Sequence, residues 1–349
     1  MFFLVKSRKM EGTMKYYVNN SYKQMHACLG GQAAMDFPEK IYLDITQDCN
    51  LYCGMCRDGL EVTGKTMSFD LYCRLVDETA PYVKSYSLFN WGEPLMVKDF
   101  RERVLYINEK KRHDCVVDIS TNGMLLSGDM IEFLREQDIV VTVSFDAADK
   151  ATFERIRGGS NFRRVCDNLR ALSKAFSRVP INRAPGIYTT VQKDNQRQLT
   201  EIAKLASSLG ARRMGFGLLT APRAFCPTVD PLLLAEIENL AAYLDAEAML
   251  NDLYPTRVGD YLWWGSQFIH KDSFLVDDTC HAPLVSASIA YNGDVFLCCN
   301  VGAQAGNVAA KSFREVWLSE KYNELRQAVN DRNSMPGPCK VCAWFNRRS

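Results

Sequence analysis

The chain has 349 residues, of which 47% are hydrophobic and 24% are charged, a composition that provides for a large globular core. Its 42 lysines and arginines nearly balance its 41 aspartates and glutamates, and no basic block dominates any region, so we do not expect a nucleic acid partner. No apolar run reaches membrane-spanning length or forms a secretion signal. We therefore expect a cytoplasmic protein without membrane contacts.

The thirteen cysteines are the unusual feature of the composition. An odd number of cysteines without a secretion signal argues against a disulfide framework and favours metal ligation in a reducing compartment. Two groups stand out, namely Cys49, Cys53 and Cys56, and then Cys280, Cys298, Cys299, Cys339 and Cys342. We interpret most of the scattered cysteines as small buried hydrophobic residues.

Short apolar segments alternate with amphipathic helical patterns from about Ile41 to Leu219. The predicted strands are Ile41–Thr46, Tyr86–Asn90, Val116–Thr121, Val140–Phe145, Gly186–Val191 and Arg213–Leu218. The predicted helices include Ser68–Thr79, Phe100–Glu109, Gly128–Glu136, Phe162–Ala175 and Gln198–Leu209. Such alternation predicts parallel βα units with right-handed crossovers. The fold class is therefore α/β, and six such units would form a partial (β/α)6 TIM-like barrel.

The polar motifs of this region lie where predicted strands end. Thr46–Arg57, which contains the first three cysteines, follows the first strand, and Asn90–Pro94 follows the second. Ser120–Gly123 ends the third strand and Ser144–Asp146 ends the fourth. Because the carboxyl ends of parallel barrel strands carry the reacting groups, we expect these four segments to line one cavity.

The organisation changes after Leu219. Asn292-Gly293 between two apolar runs, Ser286–Ala290 and Val295–Cys299, predicts a β-hairpin. Two helices are also predicted, Pro231–Leu250 and, opened by the capping pair Ser312 and Glu315, Phe313–Val329. The predicted organisation is an N-terminal extension (1–39), the barrel (40–225), a helical and aromatic linker (226–279) and a small cysteine-bearing domain (280–349).

The spacing Cys49-x3-Cys53-x2-Cys56 brings three thiolates into one loop, with no fourth cysteine nearby. A structural zinc site normally closes with four ligands, whereas iron–sulfur clusters are held by cysteine thiolates. A cubane held by three cysteines leaves one iron open to another ligand. A zinc site or chance spacing remains the alternative at this level.

The cysteine loop follows the first strand, and the other motifs follow it in order. Together they resemble the pattern of the radical S-adenosylmethionine superfamily, and the resemblance covers about residues 40–220. The resemblance implies a [4Fe–4S] cluster on Cys49, Cys53 and Cys56 whose open iron binds S-adenosylmethionine and whose electron cleaves it to a 5′-deoxyadenosyl radical. It further implies contacts to this cofactor from Tyr52 (adenine), Gly92 and Glu93 (methionine amino group), Ser120, Thr121 and Asn122 (polar strand end), Ser144 (ribose) and Arg157 (carboxylate). Trp91 departs from the family's GGEP element, in which a glycine precedes Gly92.

The second cysteine group resembles the auxiliary SPASM domain. Cys280 is followed by twelve residues, Gly293, four residues and Cys298, and Cys339-x2-Cys342 comes later. The absence of further cysteines matches the shortened version, called twitch, and implies one auxiliary [4Fe–4S] cluster on Cys280, Cys298, Cys339 and Cys342. A zinc ribbon is the alternative for these four. We interpret Cys299 first as a buried residue, and otherwise as a candidate hydrogen-atom donor.

The resemblance extends to twitch enzymes such as an alcohol dehydrogenase of the butirosin pathway and aminoglycoside epimerases. About forty residues precede the first strand, so a leader-binding domain of peptide-modifying relatives is not expected. We therefore expect a radical oxidoreductase or epimerase acting on a small hydroxylated substrate, a sugar or aminocyclitol of a biosynthetic pathway, with an external electron donor such as flavodoxin or ferredoxin. The alternatives are modification of a peptide or protein side chain and a non-catalytic, zinc-stabilised binding protein.

Overall fold

The computed structural model describes residues 37–56, 64–137, 139–219, 222–228, 230–247, 282–299, 303–331 and 333–340. Most of the predicted N-terminal extension and of the aromatic linker lies outside these ranges, as do Cys280 and Cys342. None of the described helices is long and apolar enough to span a membrane.

One sheet of nine strands organises the described residues, in the order β6-β5-β4-β3-β2-β1-β7-β8-β9. Its strands are β1 (Lys40–Leu43), β2 (Ser85–Ser87), β3 (Val116–Thr121), β4 (Ile139–Ser144), β5 (Gly186–Val191), β6 (Arg213–Leu218), β7 (Ser286–Ile289), β8 (Asp294–Phe296) and β9 (Gln304–Asn307). Neighbours from β6 through β1 are parallel and β1 is parallel to β7, whereas β7, β8 and β9 are antiparallel. The six parallel βα strands confirm the predicted barrel architecture.

The helices that follow the strands cover one face of this sheet. They are α1 (Phe69–Thr79), α2 (Phe100–Lys110), α3 (Gly128–Glu136), α4 (Lys150–Ile156), α5 (Phe162–Ala175), α6 (Leu199–Ser208) and α7 (Pro231–Ala246). Short helices α8 (Ala282–Val285), α9 (Phe313–Trp317), α10 (Glu320–Val329) and α11 (Gly337–Lys340) belong to the C-terminal region. Side-chain caps begin many of them, for example Ser68 at α1 and Ser127 at α3.

The two faces of the sheet differ in polarity because side chains alternate along each strand. Ile41 and Leu43 of β1 belong to the same buried cluster as Leu75 and Val76 of α1, which places the apolar residues on the helix side. The opposite, inner face carries polar side chains, such as Ser87, which donates to Asp118 Oδ2 at 2.8 Å. A polar inner face leaves the barrel interior suited to a hydrogen-bonding ligand.

The hairpin predicted at Asn292-Gly293 is present and extends the barrel sheet. Gly293 has a φ of +85°, a conformation that favours glycine. β7 pairs with β1 over four residues, from Lys40 with Ser286 to Leu43 with Ile289. The sequence pattern predicts the hairpin because its signals are local, but the parallel β1–β7 pairing joins residues about 246 positions apart along the chain and has no local signal.

Three differences between the predicted and the observed elements stand out. The segment Phe313–Val329, predicted as a single helix, forms the two helices α9 and α10. Ser319 lies between them, and its Oγ accepts from the backbone N–H of Tyr322 and so caps the start of α10. Helix α4 was missing from the prediction, although Asp149 caps it. The first strand ends at Leu43 rather than Thr46, because the chain turns there toward the cysteine loop.

Candidate active site

The cysteine loop is held at its entrance by a segment that follows it in sequence. Gln47 N donates to Lys65 O at 2.8 Å, and Met67 N donates to Ile45 O at 2.9 Å. Thr46 Oγ1 lies 2.9 Å from Thr66 Oγ1 and accepts from Asp48 N at 3.0 Å. The chain is therefore fixed immediately before Cys49, at the C-terminal side of β1.

The three cysteines of the loop form no disulfide and are close enough for their charges to affect one another. Burial raises the pKa of Cys53 to about 11, a tendency that Arg157 opposes and that Cys56 and Cys49 reinforce. Asn122, at the end of β3, donates from Nδ2 toward Cys49 Sγ at 3.7 Å and to Asn50 Oδ1 at 2.7 Å. The structure thus brings the predicted ligands together with a predicted cofactor-facing residue.

Tyr52 lies on the surface of this loop with its ring against two glycines. Its side chain is 75% exposed, and its backbone N–H donates to Gly158 O at 3.0 Å. A Cβ atom on Gly158 would be 2.6 Å from the ring, and one on Gly159, which has a φ of +84°, would be 2.8 Å from it. The two glycines therefore permit this flat, exposed placement, and the adenine contact of Tyr52 stays a prediction.

Gly92 and Glu93 bring the chain after β2 against the start of the cysteine loop. A Cβ atom on Gly92 would be 2.2 Å from Thr46 O, so only glycine fits here. Glu93 N donates to Asp48 O at 2.8 Å. The departure at Trp91 is accommodated, because its backbone N–H donates to Asp44 Oδ1 at 3.2 Å.

The Glu93 side chain is buried and its oxygens accept three hydrogen bonds. Thr121 Oγ1 and Leu95 N donate to Oε1 at 2.7 and 3.2 Å, and Asn122 N donates to Oε2 at 2.7 Å. Burial nevertheless raises the pKa of this carboxyl to about 7. A carboxylate has about four acceptor positions, so one remains for a further donor such as an ammonium group. The predicted amino-group contact of Glu93 is compatible with this geometry.

The ends of β3 and β4 also meet as predicted. Ser120 Oγ and Ser144 Oγ lie 3.4 Å apart on the inner face. Thr121 and Asn122 are buried, and both are connected to Glu93. These polar groups face the same space as the cysteine loop, although their individual cofactor contacts stay predictions.

Arg157 occupies a setting that sequence reasoning did not foresee. It is buried, and its Nη2 lies 2.6 Å from Oδ2 of Asp146, which is completely buried at the end of β4. Burial raises the pKa of Asp146 while Arg157 opposes the rise. The Nε atom of Arg157 has no hydrogen-bond partner among the described residues, which leaves a donor for an anionic group. The sequence signal that could have pointed to Asp146 is its position at the end of a predicted strand.

Gln192 is a further residue that the sequence pattern did not single out. It lies just after β5, is buried, and its Nε2 is 3.0 Å from Met55 Sδ in the cysteine loop. A glutamine directly after a barrel strand is a weak signal, and only the strand order brings it to this loop.

The donor set of the loop fits a cubane. Among the described residues no three His, Cys, Asp or Glu side chains converge as on a single metal ion. A cubane does not require such convergence, because each thiolate binds a different iron. The unpartnered Nε of Arg157 and the spare acceptor position of Glu93 fit the carboxylate and the amino group of S-adenosylmethionine.

The described part of the second cysteine group lies around β8 and α11. Cys298 and Cys299 follow β8 and are partly buried, and Cys339 lies in α11. Cys280 and Cys342 lie outside the described residues, so the four-cysteine ligand set stays a prediction. The role of Cys299 as a hydrogen-atom donor also stays a prediction.

Two family models match the chain. Residues 43–206 match the radical SAM superfamily and residues 280–343 match SPASM, an iron–sulfur cluster-binding domain. The chain therefore contains a radical SAM domain followed by a SPASM domain. Its cofactors are a [4Fe–4S] cluster and S-adenosylmethionine, together with auxiliary iron–sulfur clusters bound by the SPASM domain.

Similar proteins cover nearly the whole chain. The AdoMet-dependent heme synthase of Methanosarcina barkeri is 26% identical over 330 residues, which are 89% of this chain and 90% of that protein. The PqqA peptide cyclase of Granulibacter bethesdensis is 23% identical over 327 residues, covering 87% and 79%. The solved structure of Streptococcus suis SuiB bound to precursor peptide SuiA has a TM-score of 0.64 at 17% identity, covering 93% and 75%, and shows the same fold.

Proposed function

We propose that this radical SAM enzyme abstracts a hydrogen atom from a carbinol carbon of a small hydroxylated substrate, a sugar or aminocyclitol, and oxidises it to a carbonyl. The observation that carries this proposal is a cavity of about 100 Å³ at the C-terminal ends of β1 and β7, with polar groups among an otherwise apolar lining. Its polar lining includes Asp44, Gln47 and Trp91 from the barrel and Ser288, Asn292 and Asp294 from the hairpin region. The cavity is thus lined by residues that follow β1 and β2 and by residues of β7, β8 and the turn between them.

The groups in this cavity suit hydroxyl and amino groups. Asp44 is buried and is oriented by Trp91 N at 3.2 Å and Gln47 Nε2 at 3.1 Å. A carboxylate is a suitable acceptor for a ligand O–H or N–H. Trp91 Nε1 is buried and has no hydrogen-bond partner within the described ranges, so it is available to donate to a ligand oxygen. The cavity would take one polar end of the substrate.

When bound, the cofactors supply the 5′-deoxyadenosyl radical and a one-electron acceptor. One electron would enter from an external donor such as flavodoxin or ferredoxin, and the hydrogen atom taken from the substrate would become part of 5′-deoxyadenosine. The substrate radical would then lose one electron to the acceptor and its hydroxyl proton to solvent, so that the carbinol is oxidised by two electrons in total. Asp44 and Trp91 would orient the substrate while it loses first the hydrogen atom and then the electron and the proton.

The test is anaerobic incubation of the reconstituted protein with S-adenosylmethionine, reductant and a panel of sugars and aminocyclitols. Mass spectrometry would follow 5′-deoxyadenosine and a product that has lost two hydrogens. Asp294→Asn, which alters a cavity carboxylate, should raise the KM for an active substrate more than it lowers kcat. Formation of 5′-deoxyadenosine at background level with every member of the panel would refute the proposed substrate class.

Replacing both Cys339 and Cys342 by alanine tests the oxidative second step. We expect 5′-deoxyadenosine without a matching amount of product, because the substrate radical loses its electron acceptor. Circular dichroism and the iron retained by the first cluster are the controls for folding. Product in the normal ratio from a folded variant would favour redox-neutral epimerisation, which deuterium incorporation from heavy water would then report.

A peptide substrate is the second candidate, and the similarity to a PqqA peptide cyclase over 87% of this chain favours it. The same assay separates the two candidates when the panel includes short synthetic peptides beside the polyols. A 5′-deoxyadenosine signal that depends on peptides and not on polyols would replace the small-molecule proposal with side-chain modification.

A further inference from the structure

The turn between the second and third loop cysteines is contacted from another part of the barrel. A backbone hydrogen bond of 3.0 Å joins the two ends of this turn, residues 53–56. Of its two middle residues, Gly54 would place a Cβ atom 3.0 Å from Cζ of the Phe225 ring, and Met55 Sδ lies 3.0 Å from Gln192 Nε2. The two partners follow β6 and β5, which β2, β3 and β4 separate from β1 in the sheet. The cysteine loop therefore reaches across the barrel to these distant strand ends.

Backbone hydrogen bonds fix the position of the Phe225 ring over this turn. Phe225 ends a single 3₁₀ turn, and its N–H donates to Pro222 O at 3.1 Å. Its carbonyl oxygen accepts from Lys193 N, in the segment after β5, at 2.9 Å. Further along the chain, Thr228 N donates to Oε1 of the buried Gln196 at 2.6 Å. The segment after β6 is therefore attached to the segment after β5 at the ring and beyond it.

Packing of the hydrophobic core does not account for this aromatic side chain. Phe225 is 36% exposed and does not belong to the hydrophobic core that the described residues form. The edge of its ring faces Gly54, with Cζ 3.0 Å and Cε1 3.3 Å from the position of a Cβ atom there. Gly54 has no side chain to cover the backbone between Cys53 and Cys56. The ring of Phe225 covers that backbone instead.

We propose that Phe225 shields the first cluster, because its ring covers the turn that joins two of the three ligands and keeps soluble reagents from the iron held there. The apolar shell around a metal site controls how readily solvent reaches that site. Iron is lost from a cluster when water or a competing ligand replaces a thiolate, so access to the ligands determines how fast it is lost. This role of Phe225 concerns the cluster itself and holds for any substrate.

The test is the rate at which a soluble iron(II) chelator, bathophenanthroline disulfonate, removes iron from the reconstituted full chain under anaerobic, reducing conditions. The chain with Cys49, Cys53 and Cys56 replaced by alanine gives the release of auxiliary iron, which is subtracted. Phe225→Val lacks the ring atoms that contact Gly54, and we expect iron to leave the first cluster about tenfold faster. Phe225→Met, whose unbranched apolar side chain reaches about as far as the ring, should release iron at close to the parental rate.

Tyr82→Val is the matched control, because it removes an exposed aromatic ring that stacks on Phe37 at 4.1 Å, before the start of β2, and should leave the release rate unchanged. Circular dichroism and urea midpoints establish that faster release is not global unfolding. A parental rate in iron-loaded Phe225→Val would overturn the proposal, as would a methionine variant as fast as the valine variant. Loss of the first cluster from both variants, with the auxiliary iron retained, would also overturn it, since the ring would then be needed to build the site rather than to cover it.

Discussion

Each of the two cysteine regions buries an arginine, but the two arginines differ in what neutralises them. Arg157 lies beside the cysteine loop and is paired at 2.6 Å with the buried carboxylate of Asp146. Arg326, in the C-terminal region, contacts two aromatic rings and neutral oxygens, with no carboxylate among its described contacts. The protein thus supplies a carboxylate that compensates the charge of Arg157, whereas no described carboxylate compensates that of Arg326.

This difference fits the two kinds of cluster. The cysteine loop must hold a cluster with an open iron and also accept a cofactor that carries both a carboxylate and an ammonium group, so paired charges such as Arg157–Asp146 and a spare acceptor on Glu93 are useful there. An auxiliary cluster that binds no such cofactor would not need paired charges of this kind.

Replacing Cys49, Cys53 and Cys56 together by alanine should give the largest effect and separate the two regions. We expect 5′-deoxyadenosine formation to be abolished and the iron content to fall from about eight to about four atoms per chain, because the auxiliary cluster remains. Mass spectrometry and iron quantification measure the two results. Cys166→Ala, which changes a buried cysteine of α5, is the control and should retain activity. Undiminished 5′-deoxyadenosine in the triple variant would contradict the site.

Asp146→Asn removes the carboxylate that pairs with Arg157. In this variant Arg157, like Arg326, would have no carboxylate among its described contacts. Breaking a buried ion pair on one side typically costs about 3–5 kcal/mol, so the urea midpoint should fall markedly. The exposed pair Arg155–Asp194, at 2.9 Å, provides the matched control, since Asp194→Asn should cost at most about 1 kcal/mol. Equal losses in the two variants would mean that the Arg157–Asp146 pair is not a buried electrostatic unit.

Glu93→Gln should alter the pH dependence of stability before S-adenosylmethionine is added. Because burial raises the pKa of Glu93 to about 7, the native state binds its proton more tightly than the unfolded chain. Stability from this group is therefore complete at low pH and is lost as pH rises toward 7, by up to about 1.4 kcal/mol per pH unit. Urea midpoints at pH 5, 6 and 7 should fall less steeply in the variant than in the parent. Exposed Glu201→Gln should keep the parental slope, and an equal slope in Glu93→Gln would refute this assignment.

Gly158→Ala should have the smallest effect and tests whether Tyr52 contacts the cofactor. The new Cβ would be 2.6 Å from the Tyr52 ring, so this exposed ring must move. We expect S-adenosylmethionine binding to weaken up to about tenfold, or about 1.4 kcal/mol, by isothermal titration. Gly128→Ala, where no atom lies within 4 Å of the added group, should bind normally. Normal binding by Gly158→Ala would remove Tyr52 from the cofactor site.

Local signals determined most of the barrel and its motifs. The strands Val116–Thr121, Gly186–Val191 and Arg213–Leu218 begin and end where the apolar periodicity predicts, and the loop cysteines follow β1 as expected. These features depend on residues close together in sequence, where hydrophobic periodicity, capping side chains and turn residues are sufficient. The cysteine spacings similarly predicted both kinds of cluster-binding domain, which the family matches confirm.

The tertiary structure decided how distant residues are combined. Sequence reasoning gave Arg157 a cofactor contact but not its burial against Asp146, which arises because the residues that follow β4 and α4 meet in the structure. It also missed the parallel pairing of β1 with β7, which connects the auxiliary region to the barrel, and the isolated charge of Arg326. Charge compensation and strand order depend on which side chains meet in space, and a residue's own sequence neighbourhood does not specify those partners.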